Sequence, residues 1–305
     1  MITSHQLLAL RIRDLYSGYL LNRDPPEVGA FHRSIPYVSG GGRKQSLDII
    51  VPREAAGVRP YPLLFYLHGG GWHLGDKRSP TRICKCFAHE GYLVLNINYR
   101  LAPGCGLFEQ VSDVGKAVLW GRENARKYGG DPERLALAGE SAGAHLASIY
   151  ASCALDGDLS AALSIEEAVP PDSVKGLLLF YGVYDLESAV SEGSKATRAA
   201  ARGLLKGQPG TLAERARLAS PLFHVSEGYP PAFICSGETD DIHDQSVRFA
   251  AALSEAGVPL RTRFFIKGTD PEAPHGFLNA YTLESARIAM RVALDFLEES
   301  TGSDV

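Results

Sequence analysis

Apolar residues recur along this chain with two different periods, and the switch between them lays out the fold. Residues 4–21 carry Leu7, Leu8, Ile12, Leu15 and Tyr19 at helical spacing, which predicts an amphipathic helix broken at 22–26. Gly40 to Gly42 predict a tight turn, and residues 47–51 a strand that stops at Pro52. From there short apolar runs alternate with helix-length stretches. The runs fall at 62–67, 92–97, 135–138, 174–180, 232–236 and 261–266. Helical patterns fall at 80–90, 110–128, 142–154 and 283–299, and residues 129–132 end the second of them. Alternation of this kind requires crossover connections, so the expected fold is α/β with a mostly parallel sheet. Such a sheet has helices on both faces, and its strands should be apolar throughout, as these are.

Two segments stand outside the series. One is residues 1–45; the other is 186–218, rich in alanine, glycine and charge. Both are expected to form a helical cap over a core built from 46–185 and 219–305; surface decoration is the alternative.

Composition narrows the function. The chain has 305 residues, 45% hydrophobic and 22% charged, enough for a large core and a soluble surface. A net charge of −4 gives no reason to expect nucleic acid or an anionic membrane as partner. No apolar run approaches the roughly 20 residues of a membrane-spanning helix. The N-terminus lacks the basic-then-apolar pattern of a secretory leader. A cytoplasmic protein is the expectation. Five cysteines, at 84, 86, 105, 153 and 235, are too few and too scattered for a disulfide framework. Cys84 and Cys86 have no Cys/His cluster after them at zinc spacing, so no metal is expected.

The chemistry concentrates in short motifs. Gly139-Glu140-Ser141-Ala142-Gly143 sits where a short strand meets a helix. That is the setting of a nucleophile elbow, which holds a serine in a strained turn and needs small neighbours. The Ala142 backbone N–H, at the start of the helix, is then free for an oxyanion. His68-Gly69-Gly70-Gly71-Trp72 ends an earlier strand. Its glycines allow backbone N–H groups to face a ligand, so Gly70 and Gly71 are the main expected oxyanion donors and Ala142 the third. A phosphate loop would require a Lys and a Ser or Thr that are absent here. His68 reads as a buried residue that fixes the loop.

A serine needs a base, and the base needs an orienting group. In the α/β-hydrolase order both follow the serine. Beyond residue 200 the histidines are His224, His243 and His275. Only His275 falls on the loop between the last strand and the last helix, where the base belongs. For the acid, Asp240 follows the strand at 232–236, with Asp241 as its near rival. Asp244 reads as a helix N-terminal charge, and Glu140 as a supporting residue beside the serine.

Taken together, HGGGW at 68–72, YRLAP at 99–103, GESAG at 139–143, Asp240 to Asp244 and HGF at 275–277 make the chain resemble the hormone-sensitive-lipase-like family of α/β-hydrolases. The resemblance spans roughly residues 45–300. It implies an α/β-hydrolase fold with a cap, ester hydrolysis on small to medium acyl groups, and no cofactor. It carries the catalytic roles onto Ser141, Asp240 and His275, and the oxyanion hole onto Gly70, Gly71 and Ala142. Departures are Glu140 where the family usually has Asp or Thr, Asp240-Asp241-Ile242 where it has Asp-Pro-Leu, and Gly104-Cys105-Gly106 after the YRLAP tract. GESAGAHLA and the tract from Tyr181 to Leu186 also resemble the kynurenine formamidase branch, which makes cleavage of an N-formyl amide the second reading. A small-ligand receptor and an acyltransferase are the remaining alternatives. Trp72, Phe108, Tyr184 and Leu186 are candidates to line the substrate pocket, or else core packing. The expected partner is a small ester; dimerisation through an edge strand fits such folds.

Overall fold

The computed structural model describes residues 22–54, 60–166 and 168–302. The predicted helix at 4–21 lies outside the described residues. Eight strands form one sheet: β1 (Ala30–Pro36), β2 (Ser46–Val51), β3 (Tyr61–Leu67), β4 (Leu93–Ile97), β5 (Gly130–Glu140), β6 (Val174–Phe180), β7 (Ala232–Gly237) and β8 (Leu260–Phe265), in the order β1-β2-β4-β3-β5-β6-β7-β8. The pairs β1–β2 and β2–β4 are antiparallel, and every pair from β4 through to β8 is parallel.

Period-two alternation divides the core between the two faces. Leu63, Phe65 and Leu67 of β3 enter one apolar cluster, with residues of α2 (Leu107–Asn124), α3 (Ala142–Leu155) and α8 (His243–Glu255). Leu64 and Tyr66 enter the other, against α1 (Thr81–His89) and α9 (Glu284–Thr301). Both faces are therefore covered, which is why the central parallel strands read as largely apolar runs. Short helices α4 (Gly157–Ala162), α5 (Leu186–Ser191), α6 (Lys195–Leu204) and α7 (Leu212–Leu218) complete the chain. Among the described residues no helix is long and apolar enough to cross a membrane.

Three differences from the sequence expectation have physical causes. Strand β1 was not expected; its residues fall in the segment 1–45 assigned to the cap. It is an outer strand with exposed residues at its centre, and a register shift between His32 and Ile35 breaks its alternation. Strand β5 runs from Gly130, not from 135, because the backbone at Tyr61 and Pro62 pairs with Gly130 and Asp131. The helix expected at 110–128 starts at Leu107, and its last turn tightens to a 3-10 helix over Ala125–Tyr128.

The segment 186–218 holds α5, α6 and α7 between β6 and β7. Side chains of Asp185, Ser194 and Thr211 accept from the first-turn N–H groups of these helices. Such caps stabilise helices too short to persist alone.

Candidate active site

Strand β5 ends at Glu140, and the chain turns sharply through Ser141 into α3. Ser141 has φ 51° and ψ −117°, a conformation that costs a non-glycine residue strain. Packing holds it there: Ser141 N–H donates to Phe180 O at 2.9 Å. The elbow also presses on β3. A Cβ on Gly143 would lie 2.1 Å from Leu67 O, so only glycine fits.

The loop after β3 supplies the facing wall. Gly70 and Gly71 have φ of 124° and 56°, and Trp72 follows at 64°. Gly70 O accepts from His73 and Leu74 N–H, which closes the turn. Trp72 O accepts from Ala102 N–H at 3.0 Å and from Gln110 Nε2 at 3.0 Å. Tyr99 Oη donates to His68 O at 2.8 Å, and its ring stacks on His68 at 4.4 Å. The YRLAP tract at 99–103 thus has a mechanical purpose, to hold the glycine loop. His68 is 1% exposed and bonds Gly69 O through Nδ1, the buried fixing residue expected from its position. Among the described residues, no protein group accepts from the backbone N–H of Gly70, Gly71 or Ala142.

His275 reaches this space from the loop between β8 and α9. Its Nε2 lies 2.9 Å from Ser141 Oγ and its Nδ1 lies 2.8 Å from Asp240 Oδ2. Asp240 is 6% exposed, and its other oxygen accepts from Ile242 N–H at 3.0 Å. Asp241, the rival acid, is exposed, and the His275 Nδ1 bond goes to Asp240. An Asp241→Asn variant is expected to keep turnover within about twofold, as exposed substitutions away from the machinery do; steady-state kinetics checks it. His224 bonds Leu218 O and His243 bonds Ser236 Oγ, so neither faces the serine.

Three of the four expected pocket residues are buried in this structure. Trp72 is 2% exposed, Leu186 is fully buried, and Tyr184 is fully buried and stacked on Phe249 at 4.3 Å. Phe108 is half-buried against the same core cluster. The structure therefore gives Trp72, Tyr184 and Leu186 the packing role that the sequence left open beside the binding one.

His145, one turn into α3, was not singled out in the sequence. Its Nδ1 accepts from Trp72 Nε1 at 3.1 Å and its Nε2 bonds Ala219 O at 2.8 Å. Both bonds are satisfied only in the neutral Nε2–H tautomer. Burial lowers its pKa from 6.5 to about 4. The unfolded chain therefore takes up this proton first as pH falls, so the stability that neutral His145 contributes is present above pH 6.5 and is lost between 6.5 and 4. The loss is about 3 kcal/mol over that window. Urea unfolding at pH 7 and pH 4.5 checks it, with a smaller difference expected in His145→Gln.

Comparison with known proteins places the chain in a family. The BD-FAE family matches residues 47–253. The chain belongs to the BD-FAE family, among the hormone-sensitive-lipase-like α/β-hydrolases. Esterase LipQ of Mycobacterium tuberculosis is 33% identical to this family member, over 86% of the chain and 61% of LipQ. Carboxylesterase NlhH of the same organism is 30% identical, over 72% of the chain and 67% of NlhH. The chain spans only about half to three fifths of the length of LipQ and two further relatives, LipM and LipC. Esterase B from Lactobacillus rhamnosis superposes with a TM-score of 0.82 at 22% identity, covering 97% of this chain and 96% of that one. An esterase from Pyrobaculum calidifontis gives 0.76 at 26% identity, covering 96% and 91%.

Proposed function

We propose that this family member hydrolyses carboxylic esters of short to medium acyl chains through an acyl-enzyme on Ser141. The observation that carries the reading is the unbroken hydrogen-bonded chain from Asp240 through His275 to Ser141, beside backbone N–H groups at 70, 71 and 142 that donate to no acceptor among the described residues. Esterase names among the relatives support it, as does a structure of Esterase B inhibited by a tributyrin phosphonate.

His275 Nε2 takes the Ser141 proton as Oγ attacks the ester carbonyl. The buried Asp240 holds the imidazole with Nε2 toward the serine and offsets the charge that forms on the ring. The N–H groups of Gly70, Gly71 and Ala142 receive the oxyanion. Collapse expels the alcohol, which takes the proton from His275. Water, deprotonated by His275 in turn, then releases the acid and regenerates Ser141. No cofactor enters these steps. The insertion 186–218 serves as the cap: His73, in the glycine loop, bonds Ala200 O of α6 at 3.0 Å, joining the insertion to the oxyanion wall.

The test is release of p-nitrophenol from acetate, butyrate, octanoate and palmitate esters, with mass spectrometry after a serine-directed phosphonate. Turnover of the shorter esters and a single adduct on Ser141 are expected. Absence of both overturns the reading. The GESAGAHLA tract favours a second one, cleavage of an N-formyl aryl amide by the same residues, and a faster turnover of N-formylkynurenine than of any ester would establish it.

A further inference from the structure

Glu140 adjoins the nucleophile, yet the steps above do not use it. It is 5% exposed. Its Oε2 accepts from Tyr181 Oη at 2.8 Å and from Asn279 Nδ2, and Gly69 packs beside it, where an added Cβ would lie 3.4 Å from Glu140 Cγ. These three neighbours belong to three segments of the site. Gly69 opens the glycine loop, Tyr181 follows β6, and Asn279 ends the short 3-10 turn Phe277–Asn279 beyond His275. Tyr181 also sets its ring edge-on against His275, with centroids 5.2 Å apart.

Among the described residues no lysine or arginine pairs with this carboxyl. Burial raises its pKa, while the hydrogen bonds from Tyr181 and Asn279 and the charge of His275 act in the opposite direction. The other titratable groups interacting with it are Tyr66 on β3, Tyr99 beyond β4 and Cys84 on α1, all kept neutral by burial. His275 itself faces Asp240, Ser141 and the Tyr181 ring. A buried carboxylate without a fixed cation is costly unless something compensates it. During turnover the compensating charge is the imidazolium formed when His275 takes the serine proton. Differential stabilisation of that kind accelerates a reaction, because it acts in the transition state and not before it.

We propose that Glu140 is a positioning residue that ties the glycine loop to the histidine loop and places a negative charge near His275, favouring the imidazolium formed as Ser141 loses its proton. The proposal rests on the serine-esterase reading above, and the test separates the two. In Glu140→Gln, which keeps the shape and removes the charge, the midpoint of the activity–pH profile moves down by about one unit and kcat falls about tenfold, one coupling free energy read in two ways. KM changes little. In Asn279→Ala the charge stays and the tie is cut, so kcat falls while the midpoint stays. A folded Glu140→Gln protein whose midpoint does not move overturns the charge, and Asn279→Ala with kcat within about twofold of the parent overturns the tie. If Glu140→Gln does not fold, Asn279→Ala still decides the tie. NMR titration of the His275 ring in parent and Glu140→Gln needs no substrate. A moved titration in a protein that cleaves no ester sinks the esterase reading and keeps this one; ester turnover with an unmoved titration does the reverse.

Discussion

Ser141→Ala is expected to lower kcat on short p-nitrophenyl esters by on the order of 10³-fold or more, with little change in melting temperature. The serine hydroxyl makes its one described hydrogen bond to His275 Nε2, so its removal leaves no buried partner stranded. Alanine meets the same strain at φ 51° as serine does. The backbone that forms the elbow, including Ser141 N–H to Phe180 O, is untouched. The variant should therefore fold like the parent and keep its oxyanion donors while lacking the atom that carries the acyl group. Residual turnover reflects attack by water in the same site. Steady-state kinetics beside thermal melting reads both quantities. Turnover within tenfold of the parent, in protein free of parent contamination, would refute the acyl-enzyme mechanism.

Gly70→Ala is expected to cost roughly 10² to 10³ in kcat, the scale of a lost oxyanion donor. At φ 124° this position is accessible to glycine and strained for any L side chain. A Cβ there would lie 2.2 Å from Leu74 O and 2.5 Å from Leu74 C, both backbone atoms of the turn that Gly70 O itself closes. The turn has to open, which swings the N–H groups of Gly70 and Gly71 away from the serine. Gly71→Ala is the control. Its Cβ would meet nothing within 4 Å, and its φ of 56° costs only about 1 kcal/mol of left-handed strain. Kinetics on both variants checks the contrast. Equal losses would mean that the effect comes from general loop strain and not from displaced donors.

Much of the site is legible in the sequence because each part of it is local. A serine elbow needs small residues at fixed offsets, so Gly139, Ser141 and Gly143 announce it within five positions. The loop at 68–72 announces itself by glycines that the backbone conformation requires. Chain order then limits the base to a histidine after the last strand. The central parallel strands are legible because burial on both faces leaves them mostly apolar, as at 63–67 and 177–180. Strand β1 is not, because an exposed edge imposes no such pattern.

The sequence by itself determined the fold class and marked Ser141, His275 and the loop at 68–72 as candidates, since these depend on turn chemistry and burial, which act between near neighbours. Only the tertiary structure showed which of Asp240 and Asp241 bonds His275: Asp240 is buried and Asp241 is exposed, and the His275 loop approaches the end of β7 at the buried one. Only packing showed that Tyr184 and Leu186 belong to the core, because an apolar side chain carries no mark of which surface it will meet. The contacts of His145 with Trp72 and of Glu140 with Asn279 join residues 73 and 139 positions apart. No local pattern encodes such pairs; they exist because the parallel sheet brings the ends of β3, β5 and β6 to one edge and forces their loops to share it.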